Sequence, residues 1–239
     1  MSLDHYQALL NRCAEIGPLP TIVVHPCEAN ALRGALEATQ AGLITPILVG
    51  PRQKIAATAS EAGLDIDGLT VEDVPHSHAA AERGVALIRQ GRGELLMKGS
   101  LHSDELLHAV ADRENGLRTE RRLSHVFAMS VPSYHKPLFV TDAAVNIFPG
   151  LEDKADICRN VIQMLHALGI EQPKVALLSA VETVTAKLPS TLEAAALVVM
   201  SRRGQIDGAL LDGPLAFDNA INAEAARVKI GRASCRERV

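Results

Sequence analysis

The sequence predicts an α/β fold made of two doubly wound domains, and three observations predict it. Short, wholly apolar runs alternate with segments of helical spacing, the mark of parallel strands covered on both faces by crossover helices. A length of 239 residues accommodates one large or two modest domains with a substantial core. The 47% hydrophobic and 22% charged fractions exclude a disordered chain.

Residues 21–24 read as a strand, 28–41 as a helix, 46–49 as a strand and 52–62 as a helix. A weaker strand at 69–74 precedes an alanine-rich helix at 78–90, and a strand at 94–98 precedes a helix at 104–113. A second block begins near His125. Residues 126–131 and 138–141 are neighbouring strands, because the segment 132–137 between them consists of turn formers. Leu151, Ala155, Cys158, Ile162 and Leu165 give 151–168 a helical stripe, closed by Gly169. A strand at 174–179 follows. Ser190 and Glu193 fit a capping box opening a helix that runs to about Arg203 and stops at Gly204. Residues 206–212 read as a strand and 219–229 as a helix. The expected domains are 1–124 and 125–229, meeting around residues 120–126.

A formal net charge of −4 argues against a nucleic-acid binder, which needs a basic stripe. Without Trp, and with two Tyr and four Phe, stacking platforms are not expected either. Cys13, Cys27, Cys158 and Cys235 show neither metal-ligand nor redox spacing, which suits a reducing compartment. The opening residues 1–17 lack the apolar core of a signal peptide. No run approaches the ~18 apolar residues of a membrane span, so a cytoplasmic protein is expected.

Ligands of open parallel sheets bind where strands end and helices begin, and three such loops are rich in small and polar residues. The first, Lys98-Gly99-Ser100-Leu101-His102-Ser103, offers a glycine, hydroxyls and a helix N-terminus to an anion. Ser103 serves equally well as a plain N-cap, and the loop lacks a Walker or Rossmann spacing. The second carries Arg118, Arg121, Arg122 and Ser124, whose forked donors can clamp a phosphate; a solvated charged face is the alternative. The third comprises Asp142, Asn146, Asp212 and Asp218, with Asp142 and Asp212 ending apolar strands and Asp218 placed as a natural helix cap. Strand-end aspartates also fit a divalent metal, but no carboxylate cluster accompanies them. The nine histidines form no ligand motif, no GxSxG elbow occurs, and Cys27 reads as a buried, inert thiol rather than a nucleophile.

Taken in order, these loops resemble the phosphate acetyltransferase/butyryltransferase family. The resemblance is carried by Leu96 to Gly99, Gly116 to Arg118, Leu123 to Val126, Thr141 to Asn146 with Pro149, Pro173 to Ala176, Val181-Glu182, and Arg203 through Ala220. It runs from about Pro20 to Lys229, and is closest to the module that some bacteria carry behind an enoyl-CoA hydratase domain. The resemblance implies an isocitrate/isopropylmalate dehydrogenase-like fold, an interdomain cleft and a homodimer. It implies exchange of an acetyl group between CoA and phosphate, with CoA and acetyl-CoA as substrates and neither a redox cofactor nor a tightly held metal. Phosphate and CoA would be met by Lys98, Gly99, Ser100, Arg118, Arg121, Arg122 and Ser124. Asp142, Asn146, Asp212 and Asp218 would line or support the cleft.

The family continues past residue 229 with elements that complete the first domain and hold a Ser-Arg pair and an Asp used in catalysis. Residues 230–239 instead resemble a translated sequencing adapter, so the expectation is a truncated chain with an incomplete first domain, low solubility and little activity. Arg236 and Cys235 are therefore not catalytic candidates. Competing readings are a phosphate butyryltransferase, an NAD- and metal-dependent dehydrogenase on the same fold, and a non-catalytic CoA- or phosphate-binding protein.

Overall fold

A computed structural model describes residues 5–230. The chain divides into two compact units: Met1–Thr119 with Ser130–Lys136, and Glu120–Met129 with Pro137–Val239. This division falls at 119/120, ahead of the expected 124/125, and assigns the hairpin tip to the first unit. Of the expected tail, only Ile230 is among the described residues, as the last residue of a helix.

The first unit opens with α1 (His5–Ile16), a helix not expected from its mixed composition. There follow β1 (Leu19–Val24), α2 (Ala29–Gln40), β2 (Ile44–Gly50), α3 (Arg52–Ala62), β3 (Thr70–Asp73), α4 (Ser77–Arg89), β4 (Leu95–Lys98) and α5 (Ser103–Ala111). The strands form one parallel sheet ordered β3-β2-β1-β4. The apolar run of β1 explains its central place: Ile22, Val23 and Val24 are fully buried, each side chain stabilising the fold by about 1.5–3 kcal/mol. Their alternation assigns the faces. Ile22 and Val24 pack with Ala80, Ala81 and Leu87 of α4 and Leu106 of α5. Val23 packs with Leu32 and Ala35 of α2 and Ile55 and Ala59 of α3. Helices thus cover both faces of the sheet.

The second unit contains an antiparallel hairpin, β5 (Val126–Met129) and β6 (Leu138–Thr141), then α6 (Leu151–Ala167), β7 (Lys174–Leu178), α7 (Pro189–Arg202), β8 (Leu210–Leu215), α8 (Phe217–Ile221) and α9 (Ala223–Ile230). β7 and β8 pair in parallel. Ala155, Cys158 and Ile162 of α6 and Leu197 of α7 pack together with Ile206, against Val175 and Leu177 of β7. Ala176, from the alternate face of β7, packs instead with Leu215 and Ala220.

Several local expectations differ from what forms. α7 starts at Pro189 with Leu188 as N-cap and no side-chain cap. Ser190 Oγ instead shares a hydrogen with Ser179 Oγ at 2.8 Å, and Glu193 pairs with Lys154. β8 begins four residues later than expected, at Leu210, because Gly208 adopts φ 77 and Ile206 reaches the core from a turn. α5 takes His102, not Ser103, as N-cap. Asp218 lies inside α8, whose N-cap is Ala216.

Candidate functional site

In the first unit the chain runs β1, β2, β3 to one side and then returns to place β4 on the other side of β1. The carboxyl ends of β1 and β4 therefore flank a switch point, where open sheets bind ligands. Lys98, Gly99 and Ser100 lie here. Gly99 donates to Val24 O at 2.8 Å, and a Cβ on it would stand 2.4 Å from that oxygen and 2.6 Å from His25 O, so only glycine fits. Ser100 Oγ donates to His25 O at 2.8 Å and accepts from Cys27 N–H at 2.9 Å. Its hydroxyl thus fastens the β1–α2 loop to the β4–α5 loop. Lys98 Nζ donates to Gly99 O at 3.3 Å. Asp104 and Glu105 already place acidic side chains in the first turn of α5.

The sequence reading missed His25. It holds φ 55, a left-handed backbone uncommon outside glycine, and its ring is buried with Nδ1 unpartnered among the described residues. Burial, then the charge of Lys54, holds its pKa below 6.5 against opposing contributions from Ser100, Glu105 and Glu28. A histidine closing the central strand was the available signal, but its weight depends on strand order. Cys27 is buried, and burial raises its thiol pKa, as an inert thiol should behave.

In the second unit, Arg122, Ser124, Asp142 and Asn146 come together. The Arg122 main chain is anchored on α6: its N–H donates to Asp156 Oδ2 at 3.1 Å and its carbonyl accepts from Asn160 Nδ2 at 2.8 Å. Its Nε donates to Asn146 Oδ1, and a terminal nitrogen lies 3.1 Å from Asp153 Oδ1. Asn146 Nδ2 donates to Asp142 and to Leu123 O. Asp142 Oδ1 accepts from Ala144 N–H at 3.1 Å and Val145 N–H at 2.9 Å. Burial alone would raise the Asp142 pKa, but these N–H groups and Asn146 outweigh it and hold the carboxyl below its ordinary value. Ser124 Oγ accepts from Asn160 Nδ2 at 2.9 Å.

The remaining candidates have contacts of their own or lie in the first unit. Arg118 is exposed in the first unit. Arg121 reaches Gln163 of α6 at 2.8 Å. Asp212 does not end its strand as expected: β8 continues to Leu215, and the carboxylate accepts from Gly213 N–H at 3.0 Å, while Asp218 pairs with Lys229 at 2.7 Å. Among the described residues no group of three or more His, Cys, Asp or Glu is placed to hold a metal ion, and no helix is long and apolar enough to cross a membrane.

Parallel strands covered by helices on both faces, with polar loops at their carboxyl ends, define the class: an α/β protein. Residues 77–236 match the family model described as "Phosphate acetyl/butaryl transferase". The chain belongs to the phosphate acetyl/butyryl transferase family, whose members are acyltransferases. It is 60% identical over 224 residues to a phosphate acetyltransferase of Rhizobium meliloti, covering 94% of this chain and 71% of that one. It is 40% identical over 198 residues to a phosphate butyryltransferase of Clostridium acetobutylicum, covering 83% of this chain and 66% of the relative. A solved branched-chain phosphotransacylase from Enterococcus faecalis V583 superposes with a TM-score of 0.72 at 25% identity, over 88% of this chain and 73% of that one. The chain thus spans roughly two thirds of the length of the curated relatives it matches.

Proposed function

We propose that this chain interconverts acetyl-CoA and phosphate with acetyl phosphate and CoA. The observation that carries the acetyl assignment is the 60% identity to a phosphate acetyltransferase, against 40% to a butyryltransferase. In this reaction the CoA thiolate attacks the acyl-phosphate carbonyl and inorganic phosphate departs. Such chemistry is favoured by holding the reactants together and by donors aimed at the developing charge.

Arg122 is the proposed centre of phosphate handling. Its guanidinium already holds a carboxylate, and phosphate takes the same forked donors. Ser124 adds a hydroxyl, while Asn146 and Asp142 hold Arg122 in place. Arg121 adds a positive charge beside Arg122 in the second unit, and Lys98 and Arg118 are the basic candidates of the first. Gly99 and Ser100 shape the first unit's switch point, and Asp212 in β8 and Asp218 in α8 are supporting residues of the second. A fold of the isocitrate/isopropylmalate dehydrogenase type belongs to the same reading, supported by a parallel sheet with helices on both faces. So do a cytoplasmic location, a homodimer, and CoA as substrate without a resident redox cofactor or metal.

The test is thioester formation from CoA with acetyl or butyryl phosphate, alongside calorimetric binding of CoA and inorganic phosphate. Whatever the absolute rate, acetyl-CoA should form faster than butyryl-CoA. Thioester from butyryl phosphate alone would transfer the assignment to the butyryltransferase. A chain that forms no thioester and binds neither CoA nor phosphate would overturn the proposal.

A further inference from the structure

Arg122 is fixed at its main chain and at Nε, but not equally at its terminal nitrogens. The backbone is tied to Asp156 and Asn160 on α6, and Nε to Asn146. Asn146 is in turn oriented by Asp142 and by the carbonyl of Leu123. The remaining contact, with Asp153, is of a different kind. It lies 3.1 Å away, with the arginine side chain 53% exposed and the aspartate 32% exposed. An ion pair this open to water is weak and readily exchanged. Asp153 also has a second engagement that does not involve Arg122: its Oδ2 accepts from Gly150 N–H at 3.0 Å, capping α6. Losing the arginine would leave it capping the helix.

Resting on the reading of Arg122 as the phosphate ligand, we propose that Asp153 is an internal competitor for that site. Its carboxylate stands in for the anion when none is bound, and phosphate binds by displacing it. The Asp142–Asn146 pair is the positioning device, keeping Nε fixed while the terminal nitrogens change partner. A carboxylate already on the guanidinium makes the site selective: a doubly charged phosphate displaces it, and a weak singly charged anion does so less well.

The test is calorimetric titration of inorganic phosphate, at low ionic strength, into the 239-residue chain and into Asp153→Asn, Arg122→Ala and the double variant. Asparagine retains one oxygen for Gly150 N–H and replaces the oxygen that faces Arg122 with an uncharged NH2 group. Asp153→Ser, which also keeps an oxygen near the helix start, is the second route should Asp153→Asn lose helical signal. Removing the competitor should tighten phosphate binding about threefold, and the gain should vanish in the Arg122→Ala background. Phosphate binding seen only after Asp153→Asn supports the proposal as well. If Arg122→Ala weakens binding but Asp153→Asn leaves it unchanged or weaker, the competition is overturned while the role of Arg122 stands. If Arg122→Ala binds like the wild type, or no variant binds, the reading of Arg122 falls and the inference with it.

Discussion

His25 concentrates two local costs in one residue: a left-handed backbone and a buried ring nitrogen without a partner. The backbone cost arises because β1 must turn at once into Pro26, with Cys27 N–H donating to His25 O at 2.9 Å. The buried ring makes stability depend on pH. Burial, followed by Lys54, keeps the folded-state pKa below 6.5, so the ring stays neutral in the fold while the unfolded chain takes up a proton. Its contribution is therefore intact above pH ~6.5 and is lost as pH falls from there through the lowered folded value. His25→Asn removes the titrating group and retains a residue that tolerates the left-handed region. Urea midpoints compared at neutral and mildly acidic pH should fall less in the variant than in the parent. Equal falls would assign the acid sensitivity elsewhere.

At the scale of the element, strands were legible where an apolar run ends in turn formers, as at Val24 and Lys98, because burial on both faces leaves little choice of residue. Boundaries failed where a local hydrogen bond overrode the composition. The apolar spacing of 219–229 reads as one helix, yet Asn222 departs from helical geometry at φ −120 and ψ 124. Its Oδ1 accepts from Glu224 N–H at 2.9 Å and Ala225 N–H at 3.2 Å, so α9 has a cap of its own. Nothing in the hydrophobic pattern distinguishes a capping asparagine from one within a helix. The candidate site divides in the same way. Arg122, Ser124, Asp142 and Asn146 stand out as candidates because strand-end loops gather polar residues, but their partners Asp153, Asp156 and Asn160 lie on α6, where they look like solvated helix positions. Asn222→Ala should cost about 1 kcal/mol, the usual worth of such a cap. Hydrogen exchange at the Glu224 and Ala225 amides should accelerate more than exchange within α6, in the same unit. A uniform acceleration would show that Asn222 supports the unit rather than the helix end.

At the scale of the whole molecule, each unit has its own apolar interior: Ile22 to Val24 with the helices around them in the first, and Ala155, Cys158 and Leu197 in the second. Each interior also contains a thiol that reports on it. Cys27 and Cys158 are both buried; burial raises the pKa of each, that of Cys158 to about 11. Alkylation needs an accessible thiolate, so both should react slowly until their own unit opens. Gly99→Ala opens one unit selectively: its Cβ would sit 2.4 Å from Val24 O and 2.6 Å from His25 O, two backbone atoms with no freedom to rotate away. The strain should cost about 3 kcal/mol, the upper end of the usual overpacking penalty. Because opening precedes alkylation, that loss should speed labelling of Cys27 by about 100-fold while Cys158 keeps its parental rate. Peptide-level mass spectrometry after timed iodoacetamide exposure measures both sites in one sample. Equal acceleration at the two cysteines would show that the units unfold as one cooperative body, and that two interiors do not here amount to two separately stable folds.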